Sequence, residues 1–203
     1  MTPHGIYSSG ELRYMRAWQQ RKDTVLLPVT KLLNFLGIKP VAVSVAGILV
    51  AGITLWLSFV YTTPGYFLLG LLAHVVIDGI DGSLARNHRL DTDSGALVDT
   101  VADYVVSIMA LTFIARFTPI PLWLLTSVGA IYGLLLAIAY IRNERGIPYR
   151  FMPRGRLGLY VLLFVHIWAG VLILAPALLT WLVLSLWLLV TGVRALQQQR
   201  RPL

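Results

Sequence analysis

Residues 78–103 read DGIDGSLARNHRLDTDSGALVDTVAD. Within this stretch Asp78, Asp81, Gly82, Ala85, Arg86, Gly95, Asp99 and Asp103 keep a spacing of D-x2-D-G-x2-A-R-x8-G-x3-D-x3-D. Largely apolar sequence flanks it on both sides, from Gly65 to Ile77 and from Tyr104 to Phe117. An ionised carboxylate at mid-bilayer costs about 2.5 to 3.5 kcal/mol on insertion scales, so four of them imply a stabilising partner and a functional site. A divalent cation suits such a set of hard oxygen donors.

The whole chain shares that apolar character. Its 203 residues are 57% hydrophobic and only 13% charged, with a mean hydropathy of +0.74. This is the composition of an integral membrane protein, not of a soluble domain. Cysteine is absent, which rules out disulfides, thiolate metal sites and thiol nucleophiles. The first 39 residues are mixed polar and basic, without the apolar core and cleavage site of a secretion signal. A net charge of +8 and a pI near 10.1 would suggest nucleic acid in a soluble chain. Here the basic residues sit at the ends of apolar spans, so nucleic acid is not an expected partner.

Six apolar segments are long enough to cross about 30 Å of hydrocarbon as helices. They run from Pro40 to Tyr61, Gly65 to Arg86, Gly95 to Phe117, Pro121 to Arg142, Leu157 to Ala175 and Ala177 to Arg194. Pro176 separates the last two, which predicts a tight turn there. The expected fold is an all-α integral membrane protein, six transmembrane helices in one bundle joined by short loops. Leu12, Met15 and Trp18 recur at helical spacing among basic residues and predict an interfacial amphipathic helix ahead of the first span. Three regions follow: an interfacial segment over residues 1–39, a catalytic membrane domain over 40–194, and a tail over 195–203.

Six spans put both termini on one side, and that side carries every Lys and Arg except Arg116. Positive charge collects on the cytoplasmic face of short loops, so the termini and the acidic cluster are expected to face the cytoplasm.

At about 100° per residue, Asp78, Asp81, Gly82, Ala85 and Arg86 fall within an arc of about 140° on one helix. Gly95, Asp99 and Asp103, four apart, form a stripe on the next. A short link folds the two helices side by side, so the four carboxylates can converge. With no His or Cys among them, the donors favour Mg²⁺, Mn²⁺ or Ca²⁺ over zinc or copper, and magnesium leads. Four carboxylates suffice for two ions a few ångström apart, as in phosphoryl transfer. Gly79, Gly82 and Ala85 leave room for a ligand near the backbone, and Arg86 offers a planar cation to a phosphate. Small residues also pack membrane helices together, so the glycines without the aspartates would not make this case.

At every fixed position this pattern resembles the signature of the CDP-alcohol phosphotransferases. The resemblance implies transfer of a substituted phosphate from a CDP-linked donor, usually CDP-diacylglycerol, to the hydroxyl of a small polar alcohol or alcohol phosphate, with release of CMP. It implies a two-metal site at Asp78, Asp81, Asp99 and Asp103, with Asp103 as general base. By the same similarity Asp78, Asp81, Gly82, Ala85, Arg86 and Gly95 would hold the CDP portion. Membrane lipid is an expected partner, and homodimers are common in that family. A divalent-cation transporter is the competing class, since it too needs intramembrane carboxylates; it leaves Arg86 without a role.

Weaker signals surround the motif. Arg142, Arg145, Arg150, Arg154 and Arg156 could bind an acceptor phosphate, or could serve topology and anionic lipid alone. His74, one turn before Asp78, could orient it or simply pack inside the bundle.

Overall fold

The structure, a computed structural model, describes residues 9–88, 90, 93–149, 155–170 and 172–199. Regular structure among them is entirely helical: α1 Ser9–Phe35, α2 Pro40–Val60, α3 Gly65–Asn87, α4 Asp93–Phe117, α5 Leu122–Glu144, α6 Gly155–Ala169 and α7 Leu174–Gln199. Five of these, α2, α3, α4, α5 and α7, are long and apolar enough to cross a membrane. By contrast α6 has 15 residues, about 22 Å of helix at 1.5 Å per residue and short of the hydrocarbon thickness.

The boundary between α6 and α7 corrects the expectation drawn from Pro176. The chain leaves α6 after Ala169, and Gly170 takes a φ of +65°, a conformation that costs glycine little. Pro176 then sits in the first turn of α7, where a missing N–H costs nothing because the first helical amides have no intrahelical acceptor. Ala177, one residue on, donates to the Ile173 carbonyl and starts the helical ladder. At its far end α7 continues past Arg194 to Gln199.

The chain divides into two compact units, one built on Gly10–Phe113 and the other on Ile114–Leu203. In the first, α2 and α3 pack at close range through small residues. A methyl added at Gly70 would overlap the Thr54 hydroxyl, and one at Gly47 would lie 3.0 Å from His74 Nδ1. Such contacts let two backbones approach where lipid offers no hydrophobic gain for helix association. Buried Ser58 accepts the Phe67 amide at 2.8 Å, satisfying one of the open donors at the start of α3. Phe67 and Phe113, both fully buried, stack with ring centroids 5.0 Å apart.

α1 is one continuous helix that contains Pro28. The side chains of Leu12, Met15 and Trp18 lie outside the described residues, but the later half of the helix is two-faced. Val25, Val29 and Leu32 are exposed, each three or four residues from the last, and so form one stripe, with exposed Leu36 just past the helix end. Thr30 is fully buried and accepts a hydrogen bond from Asn87 of α3 at 3.2 Å.

In the second unit Leu135, Ala139, Tyr149 and Leu188 form a core with Tyr132 and Ile138 against it. Gly146, at φ +71°, closes α5: Ile147 donates to the Arg142 carbonyl and Gly146 to the Asn143 carbonyl. Those paired bonds are a Schellman closure, which needs a left-handed residue at that position.

Candidate active site

α3 and α4 supply the carboxylates. One oxygen from each of Asp78, Asp99 and Asp103 can be chosen so that all three lie within 4.8 Å of one another, a spacing that could hold a metal ion. Asp99 is exposed, while Asp78 and Asp103 are half-buried. The i, i+4 spacing of Asp99 and Asp103 puts both on one face of α4, as sequence geometry requires.

Asp81 stands apart from this trio. Its carboxylate is buried and accepts a 2.6 Å hydrogen bond from Ser44 of α2. The reason is angular: three residues after Asp78, it is turned by about 60° around the helix axis, enough to face a different neighbour. It still lies within electrostatic reach of Asp78 and Asp99. The four aspartates are thus three grouped side chains and a fourth held by a serine that the motif does not contain.

Arg86 is the second surprise. Its Nε donates to Asp23 Oδ2 at 2.9 Å and its Nη2 to Asp23 Oδ1 at 2.8 Å, a two-pronged ion pair between α3 and α1. Ser83 donates to the same Oδ1 at 2.6 Å, and Asn87 donates to the Asp23 backbone carbonyl at 3.3 Å. The guanidinium lies back over Gly82, where an added methyl would come within 3.1 Å of Nη1. Gly79 on the same helix lies under the Lys22 stem. Sequence reading overlooked Asp23, Ser44 and Ser83. One signal was available: Asp23 and Glu11 are the only acidic residues before the first span.

Burial pushes the Asp23 carboxyl up, but hydrogen bonds from Arg86 and Ser83 and the charges of Arg86 and Lys22 outweigh it and leave it below the ordinary value. A carboxylate depressed on folding contributes stability above its unfolded pKa, about 3.9, and loses it as pH falls through the lower folded value. The thermal stability advantage of the parent over Asp23→Asn should therefore be constant above about pH 5 and shrink below about pH 4, measured by melting across that range. An advantage that grows on acidification would contradict the pairing.

The remaining motif positions line the same two helices. Gly82 and Ala85 lie on α3, and Gly95 is half-buried in the first turn of α4. His74 is buried against Gly47. Of the basic loop, Arg150 and Arg154 lie outside the described residues. Arg142 donates through Nε to the Ile147 carbonyl at 3.0 Å and through Nη1 to Gly192 at 3.4 Å, and its guanidinium stands 4.2 Å from the Tyr149 ring centroid. Tyr149 in turn donates to the Leu188 carbonyl at 2.8 Å, so Arg142 ties the loop after α5 to α7. Arg145 caps α5 and Arg156 opens α6.

Among the described residues, apolar helices of spanning length and a carboxylate trio that could hold a metal ion fit a membrane protein with a candidate hard-metal site. The profile of the CDP-alcohol phosphatidyltransferase family matches residues 38–194, and the chain belongs to that family. It is therefore an enzyme, a transferase of substituted phosphate groups acting in phospholipid synthesis from CDP-linked alcohols. That membership sets the cation-transporter alternative aside. The chain is also similar to an uncharacterized protein of Aquifex aeolicus (strain VF5), 27% identical over 166 residues that cover 79% of this chain and 81% of the relative.

Proposed function

We propose that the chain transfers a phosphatidyl group from a CDP-diacylglycerol-type donor to the hydroxyl of a small polar alcohol or alcohol phosphate, releasing CMP. One observation carries this reading: the oxygens of Asp78, Asp99 and Asp103 within mutual reach of a single ion. The donor set fits a divalent cation, because every ligand is a hard oxygen on an otherwise apolar helix pair. Two ions, Mg²⁺ ahead of Mn²⁺, held by Asp78, Asp81, Asp99 and Asp103, would neutralise the diphosphate and the charge that develops on departing CMP.

The protein's own groups then do the rest. Asp103 takes the acceptor hydroxyl proton as its oxygen attacks the phosphorus nearer the lipid, and the bond from that phosphorus to CMP breaks. Arg86, over Gly82, binds the diphosphate as a planar cation. Asp78, Asp81, Gly82, Ala85 and Gly95 complete the CDP site, the small residues admitting the nucleotide close to the helix backbone. No covalent enzyme intermediate is needed.

In the membrane, α6 counts as a shorter sixth passage beside the five long spans. Residues 40–194 are then the catalytic domain, between an interfacial segment over 1–39 and a tail over 195–203. Both termini and the carboxylates face the cytoplasm, which places every Lys and Arg but Arg116 on that side. The exposed stripe of α1 supports its lying in the interface. Among Arg142, Arg145, Arg150, Arg154 and Arg156, the candidates for an acceptor phosphate, Arg142 is already committed to the α5 loop and α7.

The test is direct. Purified protein with magnesium and labelled CDP-diacylglycerol should release CMP only when a suitable alcohol is present. Glycerol phosphate, inositol phosphate, serine, inositol, choline and ethanolamine form the panel. No CMP with any of them would sink the proposal.

A further inference from the structure

The Arg86 guanidinium is held from a helix that precedes the family's matching region, which begins at residue 38. Asp23 on α1 binds its Nε and Nη2 edge at 2.9 and 2.8 Å, and Nη1 lies over Gly82. Ser83 donates to the carboxylate at 2.6 Å and so fixes the acceptor as well as the donor. An arginine side chain has many rotamers, and a bidentate carboxylate on one edge removes most of them. The contact is not an exposed one: Asp23 retains 16% of its side-chain surface and Arg86 33%.

We infer that Asp23 is a positioning residue for donor binding: it presets the Arg86 guanidinium so that the donor's diphosphate meets an ordered cation. The inference rests on the reading that Arg86 binds the CDP portion. Binding is stronger when a flexible side chain is ordered beforehand, because the ordering cost is not charged to the ligand. Asp23 itself meets no reacting atom. Its loss should therefore appear in the donor's KM and not in kcat.

A second anchor of α1 on α3 supplies the control. Thr30 accepts from Asn87 at 3.2 Å and makes no contact with Arg86 among the hydrogen bonds described. If Asp23 merely docked the helix, weakening Thr30 would have the same kinetic signature.

Steady-state CMP release by the full chain, with donor and acceptor varied separately, tests this. Asp23→Asn should raise the donor KM about tenfold, the scale of losing a hydrogen bond to a charged group, with kcat within about twofold. Asp23→Glu should restore part of the loss, and Thr30→Val should leave the donor KM unchanged. In an Arg86→Lys background, Asp23→Asn should add little, since both changes strike one unit. An unchanged donor KM in Asp23→Asn, an equal rise in Thr30→Val, or full additivity with Arg86→Lys would each overturn the inference. Should Asp23→Asn not fold, Asp23→Glu against the parent in both backgrounds decides it by the same non-additivity. Failure of the underlying reading looks different: Arg86→Lys itself would leave the donor KM untouched.

Discussion

Asp103→Asn should lower turnover by about a thousandfold or more while leaving CDP-lipid binding within about threefold. Asparagine keeps the shape of aspartate but cannot accept a proton, and general-base catalysis alone is worth roughly a hundredfold to ten-thousandfold. Asp103 is also one of the three side chains with oxygens inside 4.8 Å, so the substitution removes a negative ligand at the same time. The two losses separate experimentally. A base defect lowers kcat at saturating metal, whereas a ligand defect shifts the metal concentration needed for half activity. Donor binding, followed with labelled CDP-lipid, checks that the site is otherwise intact. Undiminished transfer by this variant would remove the base assignment.

Stripping divalent cations should bring CMP release to background, and adding magnesium should restore it. Three carboxylates grouped on two apolar helices repel one another, and a bound ion with hard-ligand preference would relieve that repulsion. Asp99→Ala should then require at least about tenfold more magnesium for half-maximal activity, because one of the three grouped anions is gone. The readout is a magnesium titration of initial rates for parent and variant. Full activity in the presence of a chelator would show that the trio does something other than hold a metal.

The legible parts of this protein are those set by local periodicity. Asp99 and Asp103 share a face because they are four apart, and no neighbour can change that. The ends of α2, α3 and α5 fall where apolar runs meet charge or proline, close to where sequence placed them. Pro176 misled because proline marks both a turn and a helix's first turn, and only the left-handed Gly170 ahead of it distinguishes the two. Contacts across long stretches of chain were not legible. Ser44 meets Asp81 across 37 positions and Asp23 meets Arg86 across 63, pairings fixed by which helix faces pack together. The same holds for Arg142, whose role in tying the α5 loop to Gly192 depends on how α5 and α7 meet.

The docking of α1 has a consequence for where the working polypeptide starts. Family recognition begins at residue 38, yet Asp23 and Thr30 cover Ser83, Arg86 and Asn87 from upstream. Trimmed to the recognisable region, the chain would keep its entire signature but lose the Asp23 and Thr30 contacts to a guanidinium, a hydroxyl and a carboxamide of α3. A signature tells which chemistry is encoded; it does not mark the shortest piece able to perform it.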